Sequence, residues 1–229
     1  MGKSTVGLDL DWGIAIDAIP FLLTGIKWTI IIAAVGLVFG FLIGAIMGLA
    51  RTSKHKLIYG LGTVYVEAIR GTPILVQAMY LYFGVNQILL QTVGLKIEPI
   101  PAGIVAISIN SGAYIAEIVR GSVQSIHKGQ VEAGRSLGLS KFKTFYHIVW
   151  PQALRRMIPP LGNQFIISLK DTSLFSVIAV GELLRQGQLV IATTFAPFEI
   201  YTVVALMYLV MTLSISFVLR RVERRLDVG

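Results

Sequence analysis

The chain contains no cysteine, which excludes disulfide, thiolate and cysteine-ligated metal chemistry and leaves its redox compartment unread. Charge is scarce too: Asp, Glu, Lys and Arg make up 14% of the 229 residues, where an ordinary soluble domain carries about 25%. Neither H-E-x-x-H nor G-x-S-x-G occurs, and no nucleophile has a base beside it, so no catalytic centre is expected. Gly2 to Thr5 read GKST, the tail of a phosphate-binding loop, but the loop's upstream glycine is missing and the match is chance. His55, His127 and His147 lack ligand spacing, so no metal is expected either. No cleavable signal peptide is expected, because Asp9, Asp11 and Asp17 interrupt the start.

Long apolar runs take the place of these features. Residues 28–50, 71–95, 99–116 and 200–219 carry no charge. A helix needs about 20 apolar residues to cross the hydrocarbon core, and most of these runs suffice. The pattern predicts an all-α membrane protein in one domain, 1–229, with about five spans: 21–50, 57–90, 99–126, 155–180 and 196–220. A soluble fold would have to bury four such helices in one small domain, which the span lengths argue against.

The net charge of +8 could suggest nucleic acid, but its placement argues otherwise. Most of the 20 lysines and arginines fall in three segments: Arg51 to Lys56, Arg120 to Arg156, and Arg220 to Arg225. With five spans all three lie on one side, the cytoplasmic side by the positive-inside rule. The N-terminus is then expected outside and the C-terminus in the cytoplasm. No nucleic acid partner is expected; membrane lipid is. The stretch DLDWGIAIDAIPFLL (9–23) predicts a short surface helix before the first span.

Within the spans, Gly36, Gly40, Gly44 and Gly48 fall on one helical stripe and predict a packing face, although membrane helices tolerate glycine in any case. The second span is predicted to break at VEAIRGTPILVQ (66–77), where Gly71 and Pro73 interrupt the helix. A backbone broken inside a bilayer must be buried in protein or line a cavity. Asn110, Tyr114 and Glu117 in the third span, and Asn163, Lys170, Asp171 and Ser173 in the fourth, fall near the depth of Glu67 and Arg70. Glu67 and Arg70 are three apart and could simply pair with each other. A translocation pathway is the stronger reading, because broken helices near mid-depth mark transporter substrate sites. These nine residues are the candidate substrate contacts. Three acids against two bases lean weakly towards a cationic cargo.

A basic polar helix, QVEAGRSLGLSKFKTFYHIVWPQALRR (130–156), interrupts this apolar chain. Periodicity alone leaves a solvated loop, a lipid-surface helix and a plug for a soluble partner all open. The stretch resembles the loop signature of ABC importer membrane subunits. Glu132-Ala133-Gly134 is followed after three residues by Gly138, and after nine more by Ile148-Val149-Trp150-Pro151, with Trp150 where leucine is usual. VEAIRGTPILVQ (66–77), SGAYIAEIVRGSVQSIHKGQ (111–130), KDTSL (170–174) and LLTGIKWTI (22–30) resemble the polar amino acid uptake branch. The resemblance covers essentially the whole chain.

That resemblance implies a type I importer permease fold in a prokaryotic inner membrane, working as a pair with an identical or sister permease. It implies a cytoplasmic ATPase partner that holds the ATP and Mg, an extracytoplasmic amino-acid-binding protein, and a coupling helix within 128–150. Glu132, Ala133, Gly134 and Gly138 are its implied ATPase contacts, and no cofactor is implied in this chain. A self-sufficient channel or secondary transporter, or a scaffold that transports nothing, would be the other classes.

Overall fold

The computed structural model describes residues 10–226. Among them every regular element is helical: α1 (Trp12–Ala50), α2 (Lys56–Arg70), α3 (Ile74–Val93), α4 (Pro99–Gln124), α5 (Lys128–Ser136), α6 (Lys141–Ile178), α7 (Leu183–Thr194) and α8 (Pro197–Leu226). Helices α1, α3, α4 and α8 are each long and apolar enough to cross a membrane, and α6 with α7, bent by 44°, is a fifth candidate. Val38, Leu42, Ile46, Val210 and Val218 on α1 and α8 are exposed, the apolar exterior that lipid contact requires.

The glycines of α1 are its seam with α4. A Cβ on Gly36 would stand 2.5 Å from Ile107, on Gly44 2.7 Å from the Gly112 carbonyl, and on Gly48 2.5 Å from the Ala116 carbonyl. The contacts advance together along both chains, so α1 and α4 run parallel, backbone close to backbone. Helix α8 is also parallel to α1: Asp11 N–H donates to Glu199 at 3.0 Å, and Trp12 stands edge-on to Phe198 at 6.1 Å. Helix α6 runs the other way, with Arg156 donating to the Ser125 carbonyl at 2.7 Å and Phe175 packed on Gly103. The three basic segments therefore gather at one end of the bundle.

Two expectations about helix limits need correction. Residues 12–23 do not form a separate surface helix: α1 is continuous through Pro20 for 39 residues, about 58 Å at 1.5 Å per residue. Ala15, Ala18, Leu22 and Gly25 form a buried stripe against α7 and α8, where a Cβ on Gly25 would stand 2.7 Å from the Leu183 backbone. That packing carries the helix past its proline; Asp9 lies outside the described residues. The fourth span, expected from residue 155, also begins within a longer helix: α6 runs from Lys141, so Pro151 does not stand ahead of it. The proline lies inside α6, just after a π-helical turn at Phe145–Val149.

The second span does break. Helix α2 stops at Arg70, and α3 starts at Ile74 with Pro73 as its cap. Pro73 has no N–H, which strips the Ile69 carbonyl of its helical donor. The Gln77 side chain replaces that donor: its Nε2 donates to the Ile69 carbonyl at 2.7 Å and to Thr72.

Candidate functional site

The break forms one wall of a cavity of about 590 Å³, within the range usual for small-molecule sites, roughly 300–1,000 Å³. Arg70, Gly71, Thr72 and Pro73 come from the break itself, Asn110 and Tyr114 from α4, and Gln164, Ile167 and Asp171 from α6. Asn110 is buried and donates to Gln77 Oε1 at 3.0 Å, so the amide that caps the broken helix also fixes the facing wall. Tyr65 OH donates to the Ile109 carbonyl at 2.7 Å and ties α2 to α4 beside it.

Arg70 ends α2 with its guanidinium 5.2 Å from the centre of the Tyr114 ring. It makes no side-chain hydrogen bond among the described residues; its nearest carboxylate is Glu117, at 3.9 Å. The guanidinium's donors are thus left for a ligand, and a planar fork of N–H groups suits a carboxylate. Asp171 supplies a negative group, and Asn110, Gln164 and Thr72 supply neutral polar ones. One cation, one anion and two amides can hold a zwitterion.

The structure sorts the nine candidate contacts. Arg70, Asn110, Tyr114 and Asp171 come together at the cavity. Glu67 does not line it: its side chain is 68% exposed and its carboxylate stands 3.6 Å from Arg51, so Glu67 and Arg70 do not pair with each other. Glu117 is likewise absent from the wall and sits among arginines. Arg51 and Arg120 both donate to it, Arg120 Nη2 at 2.7 Å. Asn163 faces α8, in a separate groove with Ser216, Arg220 and Glu223. Ser173 Oγ donates to the Lys170 carbonyl at 2.7 Å. Lys170 is exposed and has no carboxylate within ion-pair distance among the described residues. Gln164, Thr72 and Gln77 were missed. For Gln77 a signal existed, an amide four residues after the proline that frees a carbonyl; for Gln164 against its neighbour Asn163 there was none.

At the basic end α5 is a short, mostly exposed helix. Its C-terminus closes on Gly138 at φ +79°, with Gly138 N–H donating to the Arg135 carbonyl at 3.0 Å and Leu139 N–H to that of Gly134 at 3.2 Å. This is the left-handed turn that glycine makes at no steric cost. Gly134 is buried, and a Cβ there would stand 2.6 Å from Ile148 and 2.9 Å from Thr144, so α5 is pressed onto the start of α6. Glu132 and Ala133 point outward, and Leu137, Phe142 and Tyr146 are exposed at 80%, 74% and 57%. A polar helix tied to the bundle, with the uncovered apolar side chains of Leu137 and the start of α6 beside it, offers a surface to another protein.

Broken helix, polar cavity and spanning bundle together describe a membrane permease. The family described as "Binding-protein-dependent transport system inner membrane component" matches residues 36–228, and the chain belongs to it. It is 51% identical to the glutamine transport system permease protein of Escherichia coli K12 over 96% of this chain and all of that one. It is 39% identical to the L-cystine transport system permease protein of Bacillus subtilis, over 97% of this chain and 94% of that one. The crystal structure of an amino acid ABC transporter with histidines superposes with a TM-score of 0.87 at 36% identity, covering 94% of this chain and 99% of that one. The fold is accordingly the type I ABC importer permease fold.

Proposed function

We propose that this chain is the permease subunit of an ATP-driven importer whose cargo is a glutamine-type amino acid, held in the cavity at the break of α2 and α3. The observation that carries this is the charge pattern there. Arg70 would take the carboxylate, Asp171 the ammonium, and Asn110 and Gln164 a side-chain amide. The lean towards a cationic cargo came from counting three acids, but Glu67 and Glu117 pair with arginines outside the cavity wall. Only Asp171 remains, and it has the cargo's own ammonium to hold. The 51% identity to a glutamine permease supports the same cargo. A cationic cargo remains the second reading, supported by the solved transporter with histidines.

The rest of the assembly follows as part of the proposal. Helix α5, with Glu132, Ala133, Gly134 and Gly138, is the coupling helix on which a cytoplasmic ATPase subunit sits; that subunit holds ATP and Mg. The basic end then faces the cytoplasm and the N-terminus the outside of the inner membrane. An extracytoplasmic binding protein delivers the amino acid. A second permease, identical or sister, covers the face that bears Lys170. A lysine left to lipid near mid-bilayer would cost about 2.5–3.5 kcal/mol on insertion scales, so that face needs protein or water. ATP and cargo would each bias one equilibrium between inward and outward states.

The test is co-purification with the ATPase subunit and uptake into proteoliposomes. Glu132→Lys should lose both the ATPase and transport, and unlabelled glutamine should compete better than arginine or lysine. Transport that survives loss of the ATPase would contradict the coupling role. Displacement by arginine and lysine but not glutamine would return the cargo to the cationic class.

A further inference from the structure

We infer that Glu117 is a positioning residue: through the pair Glu117–Arg70, braced by Tyr114, it holds the Arg70 guanidinium towards the cavity so that it can capture the cargo's carboxylate. The inference rests on reading the cavity as the cargo site.

Tyr114 and Glu117 are three apart on α4 and therefore neighbours on one helix face. Together they make a two-point cradle for Arg70, with the ring centre 5.2 Å from its Cζ and a carboxylate oxygen 3.9 Å from its Nη1. The carboxylate is itself fixed. Glu117 Oε1 accepts from Arg51, and Oε2 accepts from Arg120 Nη2 at 2.7 Å and Nε at 3.3 Å. The Arg51 side chain is only 10% exposed, so the anchor is a buried one. A carboxylate satisfied by two guanidiniums attracts a third at longer range without taking its hydrogen bonds.

That distribution explains why Arg70 is oriented yet keeps its N–H groups free. Were Glu117 an ordinary partner at about 2.8 Å, it would compete with the cargo for the same donors. Were it absent, three guanidiniums would repel one another and Arg70 would leave the ring. A merely structural ion pair would bind the three helix ends together and leave carboxylate recognition unchanged.

The experiment reads carboxylate recognition directly. Binding of L-glutamine and of 4-aminobutanamide, the same molecule without its α-carboxylate, is measured on the purified permease–ATPase complex. Wild type should prefer glutamine strongly, and Arg70→Ala should abolish that preference. Glu117→Gln should weaken glutamine about tenfold, with little change for 4-aminobutanamide. Glu117→Asp, which keeps the charge, should recover part of the preference. Adding Glu117→Gln to Arg70→Ala should change nothing further, since residues acting as one unit are not additive. If Arg70→Ala loses the preference while Glu117→Gln keeps it in full, the positioning role is overturned and the cavity reading stands. If Arg70→Ala itself retains the preference, the cavity reading falls. Should Glu117→Gln fail to assemble, Glu117→Asp decides: an intermediate preference supports the role, and a wild-type or absent preference overturns it.

Discussion

The seam between α1 and α4 and the break between α2 and α3 solve opposite problems with the same residue type. At the seam, Gly36, Gly40, Gly44 and Gly48 remove side chains so that two unbroken helices touch along their backbones. At the break, Gly71 and Pro73 interrupt a helix so that its backbone and side chains can face a cavity. The seam is mostly apolar side chain and backbone, with Ser111 Oγ facing Gly40 without a hydrogen-bond partner among the described residues, and it gains from close contact, as helices in lipid must. The break exposes backbone acceptors and needs Gln77 to satisfy them. One region is built to stay fixed and the other to present polar groups.

Substitutions should separate the two. Arg70→Ala should reduce glutamine transport by roughly 30- to 1,000-fold, the 2–4 kcal/mol expected when one partner of a charged, hydrogen-bonded contact is lost, with thermal unfolding in detergent unchanged. Gly44→Ala should do the reverse. Its Cβ meets the Gly112 carbonyl at 2.7 Å, and such overpacking costs about 1–3 kcal/mol. The melting temperature should fall while transport per folded molecule holds. Gln77→Leu should affect both: it removes the 2.7 Å donor of the Ile69 carbonyl and leaves only Thr72 contacts at 3.4 Å, a loss of about 0.5–1.5 kcal/mol, and it frees Asn110 from its place in the cavity wall. The smallest and sharpest contrast is between neighbours. Gln164→Ala should weaken glutamine binding several-fold, and Asn163→Ala should leave it unchanged. Equal effects from that last pair would mean that the face of α6 has been assigned wrongly.

What the amino-acid sequence made legible follows the same division. The glycine stripe and the Gly71–Pro73 interruption are local patterns, and both are readable from spacing and backbone chemistry. The resemblance of the 130–156 stretch to a permease loop signature was legible from the spacing of Glu132 to Gly138 and Pro151. Rotation was not. Successive residues of a helix point about 100° apart, so choosing Gln164 over Asn163, or Asp171 over Lys170, requires knowing what α6 packs against. Glu117 was read as a cargo contact although Arg120, three residues on, was a legible local partner; its other partners, Arg51 and Arg70, lie on other elements, 66 and 47 positions away in the chain. The continuity of α1 through Pro20 was hidden for the same reason, since it depends on α7 and α8.

The most direct measurement is accumulation of labelled glutamine in proteoliposomes holding the permease, its ATPase subunit and loaded binding protein, with and without ATP, for wild type and Arg70→Ala. The account predicts ATP-dependent accumulation in wild type, slowed at least about thirtyfold in an Arg70→Ala protein that still folds and still binds its ATPase. Accumulation without nucleotide, or at wild-type rate in Arg70→Ala, would contradict it.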